Sequence, residues 1–356
     1  MDRAEAESLI EDSPVLDGLD FDGTDLSGLD LSGVMASSCT FRHANLRGAR
    51  LAEAQFSQCD LSGADLADVR AQRATFFRCQ ANGVTLTNAD LTATQMSEVM
   101  LLAGICAGAK ISHSTWARMD LTRTDLQRAK MDEVTFTDNT LIDTMFDGAM
   151  LHRTTFYKAD LSTTTIERAA TFKQIAIVDC KLAGKSFRGK DLSLCQIMDC
   201  DLAGCDFEGA TLVQTNFKGC NLASANLRGA NAKNAMFPEA KLMLASFDRA
   251  NLYQAIFHKA DCESAVLTGA RLGMSIWQKS RCVGASFVDA DMTYADMSHA
   301  DLSNADFTGA TMFRTRLHAT KQDGTSFGLS KRAALGDDEE LREAETWWER
   351  HHPSSK

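Results

Sequence analysis

Large apolar side chains return at every fifth residue along almost the whole of this chain. From Leu16 the steps land on Phe21, Leu26, Leu31, Ala36, Phe41, Leu46 and Leu51, and the register holds to Ile166. There it slips by one residue, resumes at Phe172 and runs to Phe327. The position two residues before the central one is restricted, mostly to small residues: Ala44, Ala49, Ala54, Cys59, Ala64, and later an unbroken alanine series from Ala225 to Ala270. The other three positions are polar or glycine. A period of five is neither the 3.6 of an amphipathic helix nor the 2 of an ordinary strand.

Such a period has a geometric meaning. If each pentad forms one side of a square, four pentads close a coil, with the central residue and the small residue two before it both pointing inward. Residues twenty apart then stack and should share a character. One column reads Phe56, Phe76, Met96, Trp116, Phe136, Phe156, and after the slip Ile177, Ile197, Phe217. The columns survive the slip, so the extra residue near 167–171 reads as a one-residue bulge in one solenoid. About sixty pentads make about sixteen coils, each in contact only with its neighbours.

Open coil ends are exposed sheet edges and need covers. Residues 1–15 read as an N-terminal cap, with a short helix over 2–12 carrying Leu9 and Ile10. The solenoid spans 16–327, and 328–356 reads as a C-terminal cap helix and tail. The helix expected over Asp337–His351 has an acidic first turn, as the helix dipole favours. Its Leu341, Ala344 and Trp348 share one face, as cap or dimer contacts. Asn139, Lys185 and Lys190 break the run of small inward residues. The two lysines follow the bulge closely, as a local kink or a binding notch.

Pentads such as ADLSG, ANLRG, CDFEG and ADFTG carry a small–Asp/Asn–Leu/Phe pattern that resembles the pentapeptide-repeat proteins from about Leu16 to Phe327. The resemblance implies an all-β, right-handed quadrilateral parallel β-helix. It specifies a scaffold and not a site.

The register also disposes of candidate chemistry. All eleven cysteines fall at inward positions, as small buried residues with free thiols. Stacked side chains about 4.8 Å apart lie outside disulfide reach. His43, His113, His152, His258, His299 and His318 fall at outward positions on scattered coils. No catalytic, cofactor-binding or metal-ligating residue is expected, so the reading is not an enzyme and no cofactor. No apolar run approaches the roughly 18 residues of a membrane span. The start of the chain lacks a signal-peptide core, which places the protein in the cytoplasm, with delivery by a specialised secretion system left open.

Function then rests on surfaces. Met236, Ile256 and Ile276 share an outward column where polar residues are usual, and Met100, Leu102 and Ile105 form a second apolar group, with Met145 and Met150 further on. Contiguous exposed apolar surface marks interaction sites. The expectation is a protein-interaction scaffold with unidentified protein partners, the same patches serving a homodimer. The resemblance adds a link to bacterial secretion machinery, as effector, adaptor or chaperone. The alternative it implies is a DNA-mimicking inhibitor or protector of a type II topoisomerase. The net charge of −11 invites that reading. Yet the acids gather at two ends, Asp17 to Asp30 and Asp289 to Asp306, rather than along one lengthwise stripe. The acidic balance argues against direct nucleic-acid binding.

Overall fold

A computed structural model describes residues 1–352, and the chain divides into two compact units, 1–182 and 183–356. The backbone hydrogen bonds of one pentad explain why both are solenoids. In Ala64–Asp68, Ala64 N–H bonds back to the Leu61 carbonyl at 3.0 Å and closes the corner. Asp65 N–H reaches down one coil to Ala44 O (2.9 Å), while Leu66 and Asp68 N–H reach up to Thr85 and Thr87 O (2.7 and 2.9 Å). The remaining donor, Ala67 N–H, goes to the Asp65 carboxylate at 2.9 Å. Every donor is satisfied, as a stacked backbone requires. This also explains why Asp or Asn recurs before the central residue: its side chain caps the corner as an Asx-turn.

The last residue of the pentad is left-handed in nearly every coil, Gly23 at φ +64° and Asp68 at φ +59° among them, and the run breaks at Thr163 and Arg168 beside the added residue. A non-glycine residue there costs roughly 1–2 kcal/mol, so glycine recurs at this position. Inside, the central side chains stack at the coil spacing. Phe21 lies 4.8 Å from Phe41, Phe136 5.0 Å from Phe156, and Phe237 4.9 Å from Phe257, ring on ring.

In the first unit α1 (Arg3–Asp12) precedes the coils. Asp2 caps it, and Arg3 ties it to the first coil through Ser27 O at 3.0 Å and Asp25 at 3.2 Å. Twelve three-residue strands follow: β1 (Val15–Asp17), β2 (Met35–Ser37), β3 (Gln55–Ser57), β4 (Thr75–Phe77), β5 (Gln95–Ser97), β6 (Thr115–Ala117), β7 (Lys130–Asp132), β8 (Thr135–Thr137), β9 (Met150–His152), β10 (Thr155–Tyr157), β11 (Thr171–Lys173) and β12 (Ala176–Val178). One face stacks β1 to β6, β8, β10 and β12 in parallel; a second stacks β7, β9 and β11. Partners are twenty residues apart up to Phe136↔Phe156, then twenty-one apart at Phe156↔Ile177 and Leu151↔Phe172. The added residue is absorbed in a 3₁₀ turn at Ile166–Arg168, and stacking continues around it.

Among the described residues of the second unit only β13 (Gln196–Met198) is a regular strand. Single-residue parallel bridges carry the coils instead, as in Asp206↔Asn226↔Ser246↔Val266. This corrects the expected count of about sixteen coils: among the described residues regular strands mark about nine stacked turns, in the first unit. The cause is local, since tight corners on both sides of a pentad leave one residue extended enough to pair. The unit ends with Leu335 bridged to Arg316, a 3₁₀ turn at Ser330–Ala333, and α2 (Glu339–His351), capped by Asp338.

Candidate functional surfaces

The eleven cysteines lie inside and buried. Cys39 and Cys79 Sγ each bond to the carbonyl of the central residue one coil below, Leu16 and Phe56, at 3.4 Å. Buried threonines do the same, Thr124 to Leu101 at 2.7 Å and Thr215 to Leu192 at 2.8 Å. Small polar residues therefore belong to the scaffold. Burial pushes the Cys106 and Cys205 thiols up to about 12, away from reactivity. Asn139, which breaks the small-residue run, is buried yet satisfied: its amide bonds Met119 N–H at 2.7 Å and Trp116 O at 2.9 Å. Lys185 and Lys190 are half-buried.

Of the two apolar groups, Met100, Leu102 and Ile105 are open, at 44%, 36% and 42% exposure. Leu102 sits at the corner between the faces of Met100 and Ile105. Met236, Ile256 and Ile276 stand in one bridged column, each half-buried against its neighbours. Met145 is half-buried and Met150 exposed. The acidic N-terminal end is partly neutralised, with Arg3 on Asp25 at 3.2 Å, Arg42 on Asp22 and Arg50 on Asp30 at 2.6 Å.

On α2 the face of Leu341, Ala344 and Trp348 does not seal an apolar interface. Leu341 and Trp348 remain 45% and 58% exposed. Glu345 holds the helix instead. It meets His299 Nε2 at 3.0 Å with one carboxylate oxygen and His318 Nε2 at 3.2 Å with the other. The sequence scatters these histidines outward. The structure sets them one coil apart with rings perpendicular and 5.5 Å between centroids, and buries His318 to 3% exposure. His318 Nδ1 accepts the Asp338 N–H at 3.2 Å, so its Nε2 carries the proton donated to Glu345. Burial raises the Glu345 carboxyl, but the hydrogen bonds from His318 and His299 outweigh it and hold it below its ordinary range. Beside the cluster lies a groove of about 360 Å³ lined by Lys279, His299, Ala344, Glu345 and Trp348. The sequence signal that could have found this was Glu345 on the inner face of an acidic helix; its partners are set by docking, not by spacing.

No helix among the described residues is long and apolar enough to cross a membrane. Among solved structures the chain is similar to HetL, a pentapeptide repeat protein involved in heterocyst differentiation regulation from the cyanobacterium Nostoc sp. strain PCC 7120. Identity is 19% over 88% of this chain and 97% of that one, with a TM-score of 0.35. It is similar to trypsin-treated QnrB1, a plasmid-mediated fluoroquinolone resistance protein, at 16% identity over 68% of this chain and all of that one, TM-score 0.39. A third is a pentapeptide repeat protein of the Arabidopsis thaliana thylakoid lumen, at 20% identity over 41% and 73% of the two chains, TM-score 0.14. No curated protein matches the sequence. The family model for pentapeptide repeats matches in 8 copies, over residues 15–52, 54–92, 106–138, 200–237, 245–275 and 278–318. With more than half of its length matched, the chain belongs to the pentapeptide-repeat family.

Proposed function

We propose that this protein is a non-catalytic interaction scaffold, whose partner seats on the corner formed by Met100, Leu102 and Ile105. The observation that carries the reading is this apolar corner, open on two adjacent faces of a rigid coil. Three large apolar side chains held in water by a backbone that cannot collapse around them favour a partner that covers them. The interior supports a non-catalytic role. It is filled by stacked side chains, and its thiols are buried, so it offers no cleft for a substrate. Within this reading the partner belongs to secretion machinery or its cargo, which the protein holds as effector, adaptor or chaperone in the cytoplasm.

The test is quantitative capture from the source cell with wild-type chain and with the double variant Leu102→Lys/Ile105→Lys. Both positions are exposed, so the fold should be intact by circular dichroism. The reading expects one or more captured proteins to fall at least tenfold in the variant. Equal recovery by both chains would overturn it. So would inhibition of DNA supercoiling by a purified type II topoisomerase, which belongs to a DNA mimic.

A further inference from the structure

We infer that His299, His318 and Glu345 form a binding site for a divalent transition-metal ion of the zinc type, completed when α2 lies against the coils. The coil repeat places the two histidines on one flank, two and one residues after the central Met297 and Leu317. Both turn Nε2 toward the carboxylate of Glu345, and the three ligand atoms all lie within 4.8 Å of one another. A tetrahedral ion with bonds of about 2.0–2.1 Å holds its ligands about 3.3 Å apart. The histidine–glutamate separations, 3.0 Å to one carboxylate oxygen and 3.2 Å to the other, are close to that spacing, and an ion would draw the two nitrogens, now within 4.8 Å, together around it. The two rings stand perpendicular with 5.5 Å between centroids, so both reach the Glu345 carboxylate.

The donor set decides which ion. Two imidazole nitrogens and one carboxylate suit zinc, cobalt or nickel and disfavour calcium and magnesium, which want oxygen alone. Three protein ligands leave a fourth position. The groove that His299 and Glu345 line with Lys279 and Trp348 has room for water or an outside carboxylate to fill it.

The surroundings of His318 say what binding must rearrange. Without an ion its Nε2–H donates to Glu345 and its Nδ1 accepts the Asp338 N–H. Coordination through Nε2 moves that proton to Nδ1, and no net proton leaves a neutral ring. The Asp338 N–H must then give way to an acceptor. The Asp337 carboxylate, 3.8 Å from Nδ1, is in place for that role. It is held now by Ala319 N–H at 2.8 Å and Arg342 at 2.7 Å. A carboxylate–histidine–metal relay of this kind fixes the tautomer and commonly changes affinity by about 10- to 100-fold.

The experiment titrates chelator-treated full-length protein with Zn²⁺ and with Co²⁺ at neutral pH, by calorimetry and visible absorption. One equivalent is expected to bind. The Co²⁺ complex should show the strong d–d absorption of tetrahedral geometry and no sulfur charge-transfer band, since the thiols are internal. His318→Ala and Glu345→Gln should each weaken binding by at least tenfold, and Asp337→Asn by about tenfold. Glu345 lies on an outer helix, so Glu345→Gln leaves the coils folded even if His318→Ala does not. His351→Ala/His352→Ala should bind like wild type. The inference fails if the folded protein shows no saturable binding, if Glu345→Gln binds as tightly as wild type, or if the tail variant alone abolishes binding.

Discussion

At Ala81 a central position holds alanine where the stacked residues above and below are Leu61 and Leu101. The structure leaves a small apolar void there, about 20 Å³, walled by Leu61, Leu66, Phe76, Val84, Met96 and Leu101 among others. Ala81→Leu restores the column and should stabilise the protein by about 1 kcal/mol, read as a higher urea midpoint at unchanged m. The converse, Leu121→Ala in the same column, should cost about 2–5 kcal/mol. An unchanged or lower midpoint for Ala81→Leu would mean that the coil has closed around the alanine. The pattern of the sequence already marked the position as central, but only packing shows that its space is unfilled. Hydrophobic periodicity names which way a side chain points, not whether its neighbours fill the volume.

At the scale of the element, the pentad corner is held by the carboxylate or amide before the central residue. Hydrogen bonds from Ser27, Ser32 and Ser303 hold the carboxyls of Asp25, Asp30 and Asp301 below their ordinary value of 3.8. Asp22, which follows the central Phe21 and is not a corner cap, is held low chiefly by the bond from Arg42. A carboxyl whose folded pKa is depressed contributes stability above its unfolded pKa and loses it as pH falls through the folded one. Thermal midpoints measured downward from pH 5 should therefore be flat at first, then fall steeply below about pH 4 as many corners protonate together. Asp60→Asn keeps the acceptor of its corner and should be nearly neutral, whereas Asp60→Ala should cost about 1 kcal/mol, the usual value of a capping bond. The ladders of surface ion pairs, such as Arg78–Glu98–Arg118, add little, because exposed pairs are worth about 0–1 kcal/mol. High salt should barely move the midpoint.

At the scale of the whole molecule, stability of a stacked array is close to a sum of local terms, so the two units need not melt together. Each has one buried tryptophan, Trp116 in the first and Trp277 in the second. The first unit carries the void at Ala81, the buried amide of Asn139 and the added residue at the 3₁₀ turn. The second has the unbroken alanine series from 225 to 270. With Trp347 and Trp348 replaced by phenylalanine, and either Trp116 or Trp277 as the sole remaining reporter, the Trp116 fluorescence should change at the lower urea concentration. Coincident transitions would show one cooperative unit.

The five-residue march by itself determined the fold, the inward placement of every cysteine and the stacking of the aromatic columns. All of these follow from one local geometry repeated, in which sequence distance translates directly into coil position. It also located the apolar corner of Met100, Leu102 and Ile105, since outward positions are equally legible. It did not tell that Met236, Ile256 and Ile276 shade one another to half-burial, because that depends on how long side chains lean between rungs. Nor did it bring His299, His318 and Glu345 together. Glu345 lies outside the repeat, so its partners were decided only where α2 came to rest, by the hydrogen bonds that the docked helix makes with the flank of the coils.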